Sequence, residues 1–311
     1  MKIAVTFGSR STEHDVSIIS GITILKELQE NSNHEVLPLY ITKKGIWEIG
    51  GNLEEIENHR KGKAKGKQVS LIFSNNKKLT LKENGFFGKV HEIDFVMPIM
   101  HGMNGEDGTL QGVLEMSQVP YAGPGVLGSA LGMDKIAMKD ILKSHNLPLV
   151  PYVSFYRNDW QLQPDNIIED ITKKISFPIF VKPANLGSSI GISKAKDKDE
   201  LENAIEVAAH YDSRIICEQG IEDLQEINCA IVGNPANNET SLLEEPISYE
   251  DFLNFEEKYI NSGGTMQGVK SKVKIPAELP EEKMTEEIQS AAKKVFKILD
   301  CSGVSRVDFL V

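Results

Sequence analysis

Cysteine is scarce in this chain, and the little there is forms no pattern. Cys217, Cys229 and Cys301 stand far apart and odd in number. None belongs to a C-x-x-C pair, which argues against a zinc ribbon and against a disulfide framework; buried or semi-buried free thiols are expected. Long apolar runs are missing too. Nothing approaches the ~20 consecutive apolar residues that a membrane helix needs, so no membrane partner is expected. The opening Met1-Lys2-Ile3-Ala4-Val5-Thr6-Phe7-Gly8 has too short an apolar stretch for a signal-peptide core, and the cytoplasm is the expected compartment. Basic charge is in deficit: 34 lysines and arginines face 45 acidic residues, a net charge of −11. Most of such a surface repels nucleic-acid phosphates, so no nucleic-acid partner is expected.

What is present reads as an ordinary globular chain, whose 311 residues suffice for two or three domains. Lys2–Phe7 reads as a buried strand, Gly8–Thr12 as a turn, and a helix starts near Glu13 with Ile18, Ile22 and Leu25 as its inner stripe. Strand, small-residue turn and helix open an open α/β sheet. Ligands in such sheets sit beyond the carboxyl ends of strands, where Glu13 would meet them. A second strand, Phe95–Met100, runs into His101-Gly102, and Asp107 is expected to cap the next helix. Further on, the pattern predicts a helix over Met133–His145, a strand over Pro151–Asn158, a helix over Ile167–Ile175 and a strand over Phe177–Lys182. A helix over Leu201–Ala209, strands over Arg214–Glu218 and Glu226–Val232, a helix over Lys283–Leu299 and a strand over Ser305–Val311 complete the order. The basic run His59–Lys67 resembles a P-loop with one residue too few and no Ser or Thr, and reads as a solvated loop.

Five segments carry chemistry. Lys182-Pro183-x-x-x-Gly187-Ser188-Ser189-x-Gly191 lies between two strands. Glycines admit close backbone approach, consecutive N–H groups and hydroxyls can cradle phosphates, and Lys182 adds a point charge. Taken alone it is equally an ordinary hairpin tip. His101-Gly102-x-x-Gly105-Glu106-Asp107-Gly108-Thr109-x-Gln111-Gly112 shapes a tight turn before a helix whose N-terminus favours an anion; His101 alone reads equally as a hydrogen-bonded structural histidine. Met133-Asp134-Lys135 opens a helix, where Lys135 by itself is a surface lysine. Glu257-Lys258-Tyr259 lies in the long polar segment Ser248–Gly268, which suits an active-site lid or a disordered loop. Arg306-Val307-Asp308 places Arg306 and Asp308 on one face of a strand, where a surface ion pair is the plainer reading.

In this order and at this approximate spacing, the five segments, with the opening Phe7-Gly8-Ser9-Arg10-Ser11-Thr12-Glu13-His14, resemble the D-alanine–D-alanine ligases of the ATP-grasp class along the whole chain. The resemblance implies α/β and α+β architecture: a Rossmann-like N-terminal domain (1–123), a central ATP-grasp subdomain (124–217) and a C-terminal ATP-grasp subdomain (218–311). It implies ATP-dependent ligation of two D-alanines through an acyl phosphate, for peptidoglycan precursors, with ATP and two Mg²⁺ or Mn²⁺ ions, in a homodimer. By similarity Lys135 and Lys182 meet the nucleotide phosphates, the Gly187-Ser188-Ser189 loop covers them, and Lys258 also serves ATP. Glu218 lies by the adenine and Glu226 by the ribose. Glu13 holds the first substrate's ammonium with His101 nearby. Glu13, Ser188 and Tyr259 close the long loop, Arg306 faces the oxyanion and Asp308 binds metal. The family continues for a few dozen residues past this strand, with a Glu-x-Asn pair that completes the metal sites. The chain is therefore expected to be a C-terminally truncated member with its last domain incomplete. It is expected to be nearly inactive, since losing ~4 kcal/mol of transition-state stabilisation costs roughly a thousandfold in rate. D-alanine–D-serine and D-alanine–D-lactate ligation, and a non-catalytic nucleotide- or D-alanine-binding protein, are the alternatives; the Lys258-Tyr259 pair favours an amine nucleophile.

Overall fold

Strand β1 (Lys2–Gly8) is apolar on both faces, and every residue after Lys2 is buried. The reason is its place between two parallel neighbours, β2 (Glu35–Ile41) and β7 (Phe95–Pro98), where both faces of the sheet are covered. A computed structural model gives the placement of residues 1–187, 190–221, 223–247, 273–281 and 283–311. The chain forms two compact units, Met1–Ala130 and Leu131–Val311.

In the first unit, β3 (Trp47–Ile49), β4 (Lys67–Ile72), β5 (Leu79–Glu83) and β6 (Val90–Ile93) extend the sheet by antiparallel pairing, in the order β6-β5-β4-β3-β2-β1-β7. Alternation along β1 feeds two cores. Ile3, Val5 and Phe7 pack with Ile18, Ile22 and Leu25 of helix α1 (His14–Asn31), while Ala4 joins Leu79, Leu81 and Val96. The helix stripe expected from sequence is thus the one that is buried. Gly21 allows α1 to lie close to β1, because a Cβ there would fall 2.5 Å from Phe7 Cβ. The short helix α2 (Ile56–Arg60) ends in the basic run, whose Lys61, Lys63, Lys65 and Lys67 are exposed. Helix α3 (Thr109–Ser117) begins differently from expectation. Gly108, at φ +89, is its cap residue, while Asp107 accepts from the Thr109 and Asn104 backbone N–H groups. A left-handed backbone suits glycine and not aspartate at the cap.

Helix α4 (Val126–Met133) contains the division between the units, and α5 (Lys135–Ser144) follows it. The single helix expected over Met133–His145 therefore starts at Lys135: Asp134 accepts from the Ile136 and Ala137 N–H groups at 3.1 and 2.8 Å, which ends one helix and caps the next. Strand β8 (Tyr152–Tyr156) also stops short of the expected Asn158. The chain turns into helix α6 (Arg157–Leu162), which buries Trp160 and lets its Nε1 donate to Glu206 at 2.7 Å.

Helix α7 (Pro164–Lys174), strands β9 (Ile179–Pro183) and β10 (Ser193–Ala195), helix α8 (Lys198–Tyr211) and β11 (Arg214–Gln219) complete an antiparallel sheet ordered β10-β9-β11-β8. Residue 217 falls inside β11. Ile179, Val181, Ile215 and Cys217 point to one face and pack with Ile171, Leu201 and Ile205. The alternate residues Lys182, Ile216 and Glu218 therefore face the other way, where Ile136 of α5 packs on Ile216. Beyond β11, β12 (Glu226–Gly233), β13 (Asn238–Thr240) and β16 (Gly303–Leu310) form a sheet ordered β13-β12-β16. The two-residue strands β14 (Glu245–Pro246) and β15 (Val273–Lys274) pair separately. Helix α9 (Lys283–Ile298) covers the three-stranded sheet, with Phe296 and Ala292 against Ile227, Cys229 and Ile231. The three cysteines are buried and free, as expected.

Candidate active site

In the first unit the chain is tied down where β1 ends. Ser17 Oγ accepts from Gly8 N at 2.8 Å and donates to the Ile99 carbonyl at 2.6 Å, so one hydroxyl joins β1, α1 and the segment after β7. His14 bonds Ser9 O through Nδ1 at 2.6 Å and Tyr40 Oη through Nε2 at 3.1 Å. Burial pushes the His14 imidazole below its ordinary range, and burial followed by Glu48 pushes the Tyr40 hydroxyl up to about 12. Both are structural groups at neutral pH.

Glu13 is buried, 6% exposed, and its carboxylate lies against Gly102: a Cβ at residue 102 would fall 2.1 Å from Glu13 Oε2. Residue 102 also sits at φ +70, so glycine is required there on both counts. Its N–H donates to Glu106 Oε2 at 2.6 Å. The neighbouring His101 is half-buried, with Nε2 3.1 Å from Ser20 Oγ and Nδ1 3.9 Å from Glu106 Oε1. Glu13, whose carboxylate lies against Gly102, and His101, the residue before it, are thus both placed just beyond the carboxyl ends of β1 and β7, the end at which open α/β sheets generally take ligands.

The second unit gathers cations. Lys182 Nζ donates to Glu218 Oε2 at 2.6 Å, and Lys139 Nζ lies 3.2 Å from Glu218 Oε1. Lys135, one turn before Lys139 on α5, sends its Nζ to the Leu186 carbonyl, and its backbone N donates to Ala184 O at 3.0 Å. Helix start and Gly-rich turn are thereby fixed together. Arg214 on β11 reinforces this by pairing with Asp134. Asp212 accepts from the Asn185 backbone N at 2.9 Å and its Nδ2 at 3.2 Å. Burial alone would raise the Glu218 carboxyl, but Lys182 and then Lys139 outweigh it and hold it below the usual range. Lys135 is brought down to about 8, first by burial and then by the neighbouring Lys182. Two ammonium groups on one carboxylate, with the Lys135 ammonium near enough to Lys182 to feel its charge, leave an excess of positive charge that an incoming anion would relieve. Cys217 lies on the opposite face of β11, and burial pushes its thiol up, so it is no nucleophile.

Gly187 is half-buried, and its carbonyl accepts from Ile190 N at 3.2 Å; Ser188 and Ser189 lie outside the described residues, as do Lys258 and Tyr259. Arg306 and Asp308 share the exposed face of β16, where Arg306 holds Asp308 in a fork at 2.6 and 2.9 Å. Asn228 stands opposite Asp308 in the register, and the exposed Glu226 stands opposite Leu310. Among the described residues no group of three His, Cys, Asp or Glu could hold a metal by itself. Asp308 nevertheless offers a hard oxygen, which fits an ion that takes one carboxylate and draws its other ligands from phosphate and water. No helix among the described residues is long and apolar enough to cross a membrane.

Lys139 and Arg214 belong to this cluster without being among the site residues expected from the sequence. Lys139 is only 9% exposed and stands at i+4 from Lys135, the spacing that puts both on one helix face; that was the available signal. Arg214 had none, since its partner is 80 residues away.

Residues 2–124 match the family described as D-ala D-ala ligase N-terminus, and residues 141–311 the one described as D-ala D-ala ligase C-terminus. The D-alanine–D-alanine ligase of Natranaerobius thermophilus is 44% identical over 312 residues, covering 100% of this chain and 82% of that protein. The ligase of the same name from Enterococcus hirae is 41% identical over 318 residues, covering 100% and 83%. Among solved structures, the D-alanine-D-alanine ligase from Coxiella burnetii superposes with a TM-score of 0.80 at 28% identity, covering 100% of this chain and 80% of that one. The VanG D-Ala:D-Ser ligase from Enterococcus faecalis gives 0.78 at 32% identity, covering 99% and 85%.

Proposed function

Since the chain belongs to the D-alanine–D-alanine ligase family, we propose that it joins two D-alanines at the expense of ATP, with the lysines around Glu218 as its phosphate grip. Lys139 and Lys182 pair with the buried Glu218 carboxylate while Lys135, close enough to Lys182 to be depressed by it, is held on the Leu186 carbonyl, and this cluster carries the reading: it leaves cationic charge at the Gly-rich turn, where a di- or triphosphate would be the natural counter-ion.

A carboxylate accepts an amine poorly until one of its oxygens becomes a good leaving group. In the proposed reaction a carboxylate oxygen of the first D-alanine bonds to the γ-phosphorus, the β–γ bridge breaks, and ADP departs. The amine of the second D-alanine then attacks the acyl carbon and loses a proton, and the C–O bond to phosphate breaks to release inorganic phosphate and the dipeptide. Phosphoryl transfer of this kind asks for positioning and charge neutralisation more than covalent help. Lys135 and Lys182 supply the charge, and the Gly187 turn supplies backbone N–H groups. Glu218 and Glu226 are assigned to the adenine and the ribose. Arg306 answers the oxyanion of the tetrahedral step. In the first unit, Glu13 is assigned to the ammonium of the first D-alanine, with His101 beside it. A divalent cation, which the family implies, would add neutralisation of phosphate charge, and Asp308 is the residue that would hold it. The same chemistry in a cell supplies peptidoglycan precursors.

Phosphate release measured with ATP and D-alanine alone, then with D-serine or D-lactate added, tests the assignment. Release that requires D-alanine and yields D-alanyl-D-alanine supports it. Release only when D-serine or D-lactate is added would replace the second substrate, and failure to bind ATP or ADP at all would end the reading.

A further inference from the structure

Glu218 is 4% exposed and each of its two oxygens holds a different ammonium group, Lys182 on Oε2 at 2.6 Å and Lys139 on Oε1 at 3.2 Å. One partner would satisfy the charge, so the second needs a reason. The geometry points to Lys139 as the standing counter-ion of Glu218, the group that frees Lys182 to exchange its carboxylate partner for a nucleotide phosphate. This role rests on the nucleotide reading above and deepens it: Lys139 touches no substrate and is a positioning residue that acts through Glu218 and Lys182.

Three observations separate the two lysines. The Lys139 side chain is 11% exposed and that of Lys182 is 21%, so Lys182 is the one nearer solvent and an arriving ligand. Both ammonium groups lie over an aromatic ring, Lys139 5.5 Å from the centre of Tyr152 and Lys182 6.0 Å from that of Phe180, but only the ring beside Lys139 is itself tied down, by the Tyr152 hydroxyl donating to Asp140 Oδ1 at 2.6 Å. Finally, Lys139 grows from α5, whose first turn is held by Asp134 and Arg214, whereas Lys182 lies at the end of β9, where the chain enters the Gly-rich turn. A buried carboxylate stripped of its only cation is strongly disfavoured. With Lys182 as sole partner, turning that ammonium toward a phosphate would strand Glu218. With Lys139 in place, one ion pair persists throughout, and the exchange costs little.

The test uses the full chain, ADP as the probe, and five proteins: wild type, Lys139→Met, Lys139→Arg, Glu218→Gln and the double variant Lys139→Met/Glu218→Gln. Apo Lys139→Met keeps the Lys182–Glu218 pair, so its melting temperature should stay near that of wild type, while ADP binding weakens about thirty-fold. Lys139→Arg should recover most of that loss. In the double variant the neutral amide needs no counter-ion, so adding Lys139→Met to Glu218→Gln should cost little further affinity. Unchanged ADP affinity in Lys139→Met, or equal losses from that substitution in the presence and absence of the Glu218 carboxylate, would overturn the proposal. If Lys139→Met does not fold, Lys139→Gln takes its place in both comparisons. Wild-type ADP binding bears on the nucleotide reading by itself, so failure of that reading is distinguishable from failure of the Lys139 role.

Discussion

Lys135 should make nucleotide affinity fall with rising pH, and the size of the fall can be worked out. In the free protein, burial and the adjacent Lys182 bring its ammonium down to about 8. Beside a phosphate it should return to the ordinary lysine range of about 10.4. Below pH 8 the lysine is protonated with or without nucleotide, and affinity is flat. Between the two values, binding must take up a proton, so affinity falls about tenfold per pH unit, reaching about thirty-fold between pH 7 and pH 9.5. The full span corresponds to about 3 kcal/mol. Folding stability should move the other way. The unfolded chain binds this proton more tightly than the folded one, so the penalty is fully present below pH 8 and is relieved as pH rises toward 10.4. Calorimetric titration of ADP from pH 7 to 9.5, on wild type and on Lys135→Met, reads the effect. Wild type should lose affinity with pH while the variant, weaker throughout, stays nearly flat. A flat wild-type profile, or the same slope in both proteins, would refute the reasoning.

Gly102→Ala should weaken D-alanine binding at least about tenfold while leaving ADP affinity unchanged, because the new Cβ would fall 2.1 Å from Glu13 Oε2 and displace that carboxylate, and the left-handed backbone adds about 1–2 kcal/mol of strain; equilibrium binding of each ligand checks it. Asp134→Ala should destabilise the second unit by about 2 kcal/mol, through the lost helix cap and the stranded Arg214, with a lower midpoint in urea unfolding as the readout. Phe296→Ala, at a fully buried position between α9 and the three-stranded sheet, should cost about 3–5 kcal/mol in the same unfolding experiment.

The parts of this protein legible from sequence are those fixed by local periodicity or by short motifs. Ile18, Ile22 and Leu25 announced the buried face of α1, and alternation announced that Arg306 and Asp308 share a strand face. Lys182 was legible because a strand runs directly into glycines. Local patterns misled where a distant partner decides. The strand expected through Asn158 ends at Tyr156, because the chain turns into a helix that buries Trp160 and lets it donate to Glu206. Met133–Lys135 was read as continuous helix because nothing local shows that Asp134 spends one oxygen on the next helix's N–H groups and the other on Arg214. Lys139 is half legible: its i+4 spacing places it on the helix face of Lys135, but nothing local shows the buried glutamate 79 positions later that pairs with it.

The most direct test of the phosphate grip is a crystal structure of the chain with ADP. Diphosphate oxygens are expected within about 3 Å of both the Lys135 and Lys182 ammonium groups, with the turn at Gly187 over them. A diphosphate bound away from both lysines, with Lys182 still on Glu218 and Lys135 still on the Leu186 carbonyl, would contradict it.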